Sequence, residues 1–481
     1  MWPWGGKAGP RPAFLVLGLL ILGLPLTPAW GGVIRPWEDL RWPVLTAGAL
    51  VVLGLLLAEA LREGQGGVDR VDRVDRVDKG RSARSTLSTP STLPTAFIIG
   101  ALLIGGGLVV SALASPAPWL GLRTGLREIF LVGFAVCLSR RPAGAADLGW
   151  VVLCLVAALG IQAAMALWQG FGAPLLSGGE TMGRRLMYGG FEQSEILSSF
   201  LGAGAAAAGL VLVGSRRGDS EVRAGRAVAW VALPLALAAL FFAGGRGGTI
   251  GFVVALGMGL TALRRRGRSG QDGQGGRDRR ARRVYIPLAV AGLLVLLGGI
   301  WLALPGGAAR RGALPARLAE TFDPYSLSVR HRIGLMTVTG RMILDAPLTG
   351  AGPGRFGAAF GDMQERLAES EAGVGFWTFN EIMSRLAPTE AHCDPLQWWA
   401  EYGSAPFFGL LLILMAALAG PWRALGEGPP WRLALWGALA ALAVGMWVGY
   451  PLREPVRALL FWTLAGLLAG RGREAARTGR M

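Results

Sequence analysis

Histidine is almost missing from this chain, with two residues in 481. Cysteine is nearly as scarce, with three. Cys137 and Cys154 fall inside apolar runs and Cys393 stands alone, so no disulfide framework is implied. Charged residues make up 16% of the chain against 52% hydrophobic, which excludes an ordinary soluble domain. The patterns H-E-x-x-H, C-x-x-C and G-x-S-x-G do not occur. One loop histidine among scattered acids gives no convincing metal site, so these motifs' metal, thiol and serine chemistries have no foothold.

What is abundant is apolar sequence. Runs of about 15 to 22 apolar residues recur from end to end, long enough to cross a bilayer. They predict an all-α, polytopic transmembrane helical bundle of about twelve spans, near 12–30, 44–61, 96–115, 125–139, 149–169, 195–214, 227–243, 248–263, 284–304, 406–420, 433–450 and 457–470. The first is too long and too weakly cleavable for a signal peptide alone, and Lys7 and Arg11 precede it as they would a signal anchor. The fourth is the weakest, because Arg127 and Glu128 intrude at its start.

The net charge of +17, with nine arginines between Arg264 and Arg283, invites a nucleic-acid reading. Retention of basic residues on the cytoplasmic side of a membrane explains it better. With the N-terminus inside, the inner segments hold 30 Lys and Arg and the short outer loops 9. That asymmetry places both termini in the cytoplasm and, by alternation, residues 305–405 outside as one long, partly helical loop between spans nine and ten.

The expected organisation is spans one and two in 1–61, a disordered cytoplasmic linker in 62–95, spans three to nine in 96–304, the outer loop in 305–405, the last three spans in 406–470, and a cytoplasmic tail in 471–481. The linker repeats Val-Asp-Arg from Val68 and continues into a Ser/Thr/Pro-rich run, a composition that buries no core. In the outer loop, Ile333, Met336, Gly340, Ile343 and Leu344 recur at helical spacing with Arg332 and Arg341 off the stripe, as in a helix lying along a membrane surface. Pro347 ends it, glycine-rich turns follow, and two further helical pieces are expected around 357–371 and 376–386.

The candidate site lies at the end of this loop. Asp394-Pro395-Leu396-Gln397 reads as a helix start, with an acid as N-cap, proline at the first position and glutamine three residues on. His392 therefore stands just before a helix N-terminus, where an anion is favoured, at the headgroup depth that Trp398 and Trp399 should mark. Asp394 is placed either to orient His392 or to cap the helix. Arg246, in Gly244-Gly-Arg-Gly-Gly248, occupies a very short outer turn and calls for an anionic partner, either a lipid headgroup or a diphosphate gripped by its planar fork. Arg184 and Arg185 admit the same two readings. Gly350-Ala-Gly-Pro-Gly354 resembles a nucleotide loop, but no strand precedes it, and a tight turn that brings the Arg355 backbone near the site accounts for it better.

Three patches together resemble the O-antigen ligase family of polytopic membrane glycosyltransferases, over roughly residues 180 to 420. They are Arg185-Leu-Met-Tyr-Gly-Gly-Phe-Glu-Gln-Ser-Glu195, then Gly245-Arg246-Gly-Gly248, and finally Arg332 with Pro347-Leu-Thr-Gly-Ala-Gly-Pro-Gly-Arg-Phe356, Ala391-His-Cys-Asp394 and Glu401-Tyr-Gly403. The chain departs from the family's pattern at Cys393, usually Asn, and at Gly245, usually Ser. The resemblance implies transfer of a glycan from an undecaprenyl-diphosphate donor to a glycolipid, glycan or protein hydroxyl on the outer face of the bacterial inner membrane. It casts His392 as general base and Arg246, Arg185, Arg184 and Arg332 as diphosphate ligands, with Asp394, Arg355 and Glu401 supporting. No cofactor or metal is needed if arginines neutralise the leaving group. An O-antigen polymerase and a protein O-oligosaccharyltransferase share these features. A secondary transporter or flippase is the rival of another class, though it predicts matching halves and charged mid-membrane residues that are not evident here; a non-catalytic scaffold comes after it.

Overall fold

The computed structural model describes residues 10–23, 25, 36–74, 95–140, 143–172, 189, 191, 193–215, 223–269, 323, 326–369, 388, 390–422 and 430–470. All regular structure among them is helical. In chain order the helices are α1 (Pro12–Gly23), α2 (Pro36–Val74), α3 (Thr95–Ala114), α4 (Pro118–Arg140), α5 (Ala145–Leu167, extended by a π-helical turn Trp168–Gly172), α6 (Ser194–Gly214), α7 (Arg223–Ala243), α8 (Arg246–Ser269), α9 (Leu327–Asp345), α10 (Phe356–Ala368), α11 (Asp394–Tyr402), α12 (Ser404–Trp422), α13 (Pro430–Gly445) and α14 (Pro455–Ala469).

Six of the described helices contain segments long and apolar enough to cross a membrane: Trp42–Leu61, Thr95–Ala114, Ala145–Phe171, Ser194–Gly214, Arg223–Ala243 and Arg246–Leu263. Shorter apolar helices run over Pro12–Gly23, Ser404–Ala419, Pro430–Gly445 and Pro455–Ala469. The expected ninth span, the helical piece around 376–386, and Arg184 and Arg185 lie outside the described residues.

Helix α6 is the hub. In its apolar segment 94% of the residues are buried, the highest share among the six. It packs against α5, α7, α8 and α13. Its sequence explains why: small residues from Gly202 to Gly209 let neighbouring backbones approach, which is how apolar helices associate when lipid offers no hydrophobic gain. A Cβ on Gly202 would run into the Gly248 backbone of α8, and a Cβ on Gly248 into the Ser198 carbonyl of α6. Around this centre α3 packs on α12, α4 on α14 and on α3, and α1 on α5.

A second, smaller core forms from α9, α10 and α11. Leu335, Val338, Met342 and Ile343 on α9 meet Phe356, Phe360 and Met363 on α10 and Ala391 and Ala400 about α11. Of the stripe read from the sequence, Ile343 belongs to this core, whereas Ile333, Met336 and Leu344 stay exposed on the other side. Helix α10 falls where the sequence places a helix. Helix α2 does not stop at residue 61 but continues to Val74, through the first third of the expected linker. The three-residue repeat allows it, since the arginine that recurs in it is a good helix former. Helix α4 begins at Pro118, ahead of the expected 125, and carries Arg127 and Glu128 as a pair at 2.9 Å with Glu128 1% exposed. Pairing with its neighbour offsets part of the cost of burying that carboxylate.

Candidate active site

A pocket of about 340 Å³, counting its open mouth, collects residues from five parts of the chain. Glu195 and Ser198 come from the start of α6, Arg246 and Gly247 from the start of α8, Arg332 from α9, Tyr450 from the α13–α14 connection, and Arg457 from the first turn of α14. The N-termini of three helices thus converge on one space. Each carries partial positive charge, so the backbone and the guanidinium groups attract the same kind of ligand, an anion.

Arg246 is 7% exposed and opens α8 directly after a two-residue turn in which Gly244 has φ +65°. A cation at a helix N-terminus opposes the helix dipole, so the arrangement is favourable only with negative charge nearby. Its Nη2 reaches the Ser328 hydroxyl at 3.5 Å, one turn before Arg332 on α9. Gly245, where the resemblance leads one to expect serine, has a specific reason here. A Cβ at that position would overlap the Ser198 side chain, which fills the space from α6. A hydroxyl is present there all the same, supplied by Ser198 of the facing helix.

His392 stands beside the pocket. Its ring meets Tyr450 edge-on at 5.0 Å between centroids, and the other histidine, His331, at 6.0 Å. It is the one described residue other than glycine with positive φ, at +54°. Such a backbone costs about 1–3 kcal/mol and persists only where its surroundings hold it. Four hydrogen bonds do so. The Ala391 amide donates to the Gln397 side chain at 2.8 Å, the Asp394 amide donates to the Met446 and Gly449 carbonyls at 2.9 and 3.1 Å, and the Leu452 amide donates to the Asp394 carboxylate at 2.8 Å. The histidine is clamped between α11 and the α13–α14 connection.

These contacts correct two expectations. Cys393 rather than Asp394 is the N-cap of α11, and it caps with no side-chain bond. Asp394 does not orient the imidazole: His392 Nδ1 is buried without a hydrogen-bond partner, and the Asp394 carboxylate turns to Leu452. Burial pushes the Asp394 carboxyl up to about 8, against the opposing pull of the Leu452 amide and of Arg453 and Arg457. Burial likewise raises the Cys393 thiol to about 11, which leaves it an unreactive thiol. His392 is held below its ordinary range, first by burial and then by the positive charge of Arg332 and by His331, with Glu195 pulling the other way. His331 is lowered by the same causes, burial before Arg332.

The remaining sequence candidates support the pocket from behind. Gly350, Gly352 and Gly354 all have positive φ, and the amides of Ala351 and Gly352 donate to the Ala400 and Glu401 carbonyls at 2.9 Å each. This is a tight turn docked on the end of α11, as expected. Glu401, fully buried, accepts from the Gly354 amide and pairs with Arg453 of the α13–α14 connection. Arg355 closes the turn through its amide to the Gly352 carbonyl at 3.2 Å, and it does not line the pocket. The structure therefore brings together Arg246, Arg332 and His392 but keeps Asp394, Glu401 and Arg355 in the framework.

Of the titratable residues that line the pocket, Glu195, Tyr450 and Arg457 were not singled out from the sequence. Glu195 ends the first resemblance patch and opens a helix, a signal that was available. Tyr450 and Arg457 flank a short connection holding Arg453, Glu454 and two prolines between apolar runs, a density of charge like that which marked Arg246. Among the described residues no group of three or more His, Cys, Asp and Glu side chains could hold a metal ion. No family model matches the chain, and no curated protein does.

Proposed function

We propose that the chain is a membrane glycosyltransferase of the O-antigen ligase type, using an undecaprenyl-diphosphate-linked glycan on the periplasmic face of the bacterial inner membrane. The single observation that carries this reading is the meeting of Arg246 and Arg332, far apart in sequence, in one pocket walled by the tyrosine that contacts His392. In this reading twelve spans place both termini in the cytoplasm and residues 305–405 outside. Neutral at working pH, His392 takes the proton of the acceptor hydroxyl as that oxygen bonds to the sugar's anomeric carbon. The bond from that carbon to the diphosphate oxygen breaks, and its electron pair leaves on undecaprenyl diphosphate. Arg246 and Arg332, joined by Arg185 and Arg184, hold that group and offset its developing charge, so no metal is required. Attack by a lipid A-type glycolipid, a growing glycan or a protein hydroxyl differs only in the acceptor, and the same donor pocket serves the ligase, polymerase and protein-transfer variants alike.

The test uses His392→Ala and Arg246→Ala at matched levels of inserted protein. Loss of a general base costs about 10² to 10⁴ in rate. The His392→Ala protein should retain donor binding but lose transfer, whereas Arg246→Ala should lose donor binding. Arg246→Lys should recover little, because a point charge cannot fork onto a diphosphate. Wild-type transfer by the His392→Ala protein would remove the assignment and leave transport as the better reading.

A further inference from the structure

The pocket holds one guanidinium that the reading above does not use. Arg457, in the first turn of α14, lines it together with Arg246 and Arg332 and is 2% exposed. It is built into place. The Glu454 carboxylate caps α14 by accepting from the Arg457 amide at 2.9 Å, and one of its oxygens faces the guanidinium Nε at 3.5 Å. Nη2 donates to the Tyr450 carbonyl at 3.3 Å, and the group lies 5.6 Å from the centre of the Tyr450 ring. That same ring touches His392. Yet Nε is buried and makes no hydrogen bond. A buried guanidinium that lines a shared pocket, its Nε in an ion-pair contact with Glu454 but without a hydrogen bond, still offers its charge and planar fork to an anion there.

The three arginines reach the pocket from two parts of the fold. Arg246 and Arg332 come from the α8–α9 side, where Arg246 meets Ser328, while Arg457 comes from the α13–α14 side with Tyr450. Three guanidinium groups and one carboxylate, Glu195, line this space, and Arg457 has a second carboxylate, Glu454, beside it. A diphosphate, with two anionic centres, can engage cations from both parts of the fold at once.

We infer that Arg457 is a further donor-binding residue that contacts the second phosphate of the diphosphate, reaching it from a different part of the fold than Arg246 and Arg332. This rests on the donor class proposed above. Its position beside Tyr450 sets that phosphate one aromatic ring from His392, so that the leaving group and the base are aligned by the same connection.

The test is binding of undecaprenyl diphosphate and undecaprenyl monophosphate to the full chain in nanodiscs. Arg457→Gln should weaken the diphosphate about 10- to 100-fold, the range of one or two charge-assisted hydrogen bonds, and change the monophosphate by less than about threefold. Arg246→Gln should weaken both. If the wild type binds neither lipid, the donor class itself is wrong. If it binds the diphosphate and Arg457→Gln binds it equally well, this inference alone is wrong, and an equal loss for both lipids overturns it too. Should Arg457→Gln fail to insert, Arg457→Lys decides: it keeps the charge, and the inference requires a several-fold loss confined to the diphosphate. An unchanged affinity for both lipids in Arg457→Lys refutes it.

Discussion

His392 and His331 are the two imidazoles of the molecule, and both are held below their ordinary range by burial and by Arg332. The scarcity that made His392 conspicuous in the sequence also makes it measurable, because a histidine-labelled chain gives two ring signals and His331→Asn assigns them. The signal of His392 should titrate below its ordinary 6.5, so the ring is neutral and able to accept a proton at pH 7. Glu195→Gln removes the one group that raises it and should move the midpoint further down; Arg332→Gln removes a cation and should move it up. If transfer depends on neutral His392, the acid limb of kcat/KM follows the same two shifts. A midpoint above 6.5, or no response to either substitution, would contradict this account of the site. His392 and Arg246 were legible in sequence because each is a rare or displaced charge. Glu195, Tyr450 and Arg457 carried weaker local signals, and their meeting in one pocket arises from which segments touch, of which local pattern carries no record.

At the scale of elements, the contact between α6 and α8 decides where Arg246 sits. The two helices approach at Gly202, Ser198, Gly245 and Gly248, with no room for an added Cβ at any of the three glycines. Gly245→Ser should therefore be harmful although it introduces a residue type expected there. Overpacking of this kind costs about 1–3 kcal/mol, read as a drop in detergent melting temperature, and it should also impair donor binding by moving Arg246. The double variant Gly245→Ser with Ser198→Gly should regain much of both, a coupling that independent positions would not display. Equal damage in the single and double variants would mean that Ser198 is not what excludes the serine. The sequence made helices predictable here through their apolar runs, and it missed the extension of α2 to Val74 because a charged repeat was judged by composition instead of by the helix propensity of its arginines. The N-cap of α11 was displaced by one residue for a related reason. Asp394 looks like a cap by type, but its carboxylate is engaged by Leu452, which is distant in the chain.

For the whole molecule, the described helices supply six that are long and apolar enough to cross a membrane, with four shorter apolar ones beside them. The full twelve-span arrangement predicts that a reporter fused after Arg268 reads cytoplasm and one fused after Gly373 reads periplasm, since Arg-rich segments resist translocation. The reverse pattern would turn the pocket inward and remove the lipid-diphosphate reading with it.

The central position of α6 has a consequence for how such a chain is made. Helices α7 and α8 leave the ribosome soon after α6 and can cover two of its sides at once. The side occupied by Ala206 and Leu210 packs against Gly437 of α13, which is not yet synthesised. During that interval α6 is exposed to lipid or to insertion machinery on a surface shaped for another helix. The pocket is later still, because it needs Glu195 near the start of the interval and Arg457 after its end. Assembly of the site is thereby tied to completion of the bundle: a chain halted between α13 and α14 holds most of the described apolar helices but lacks the Arg457 wall of the pocket.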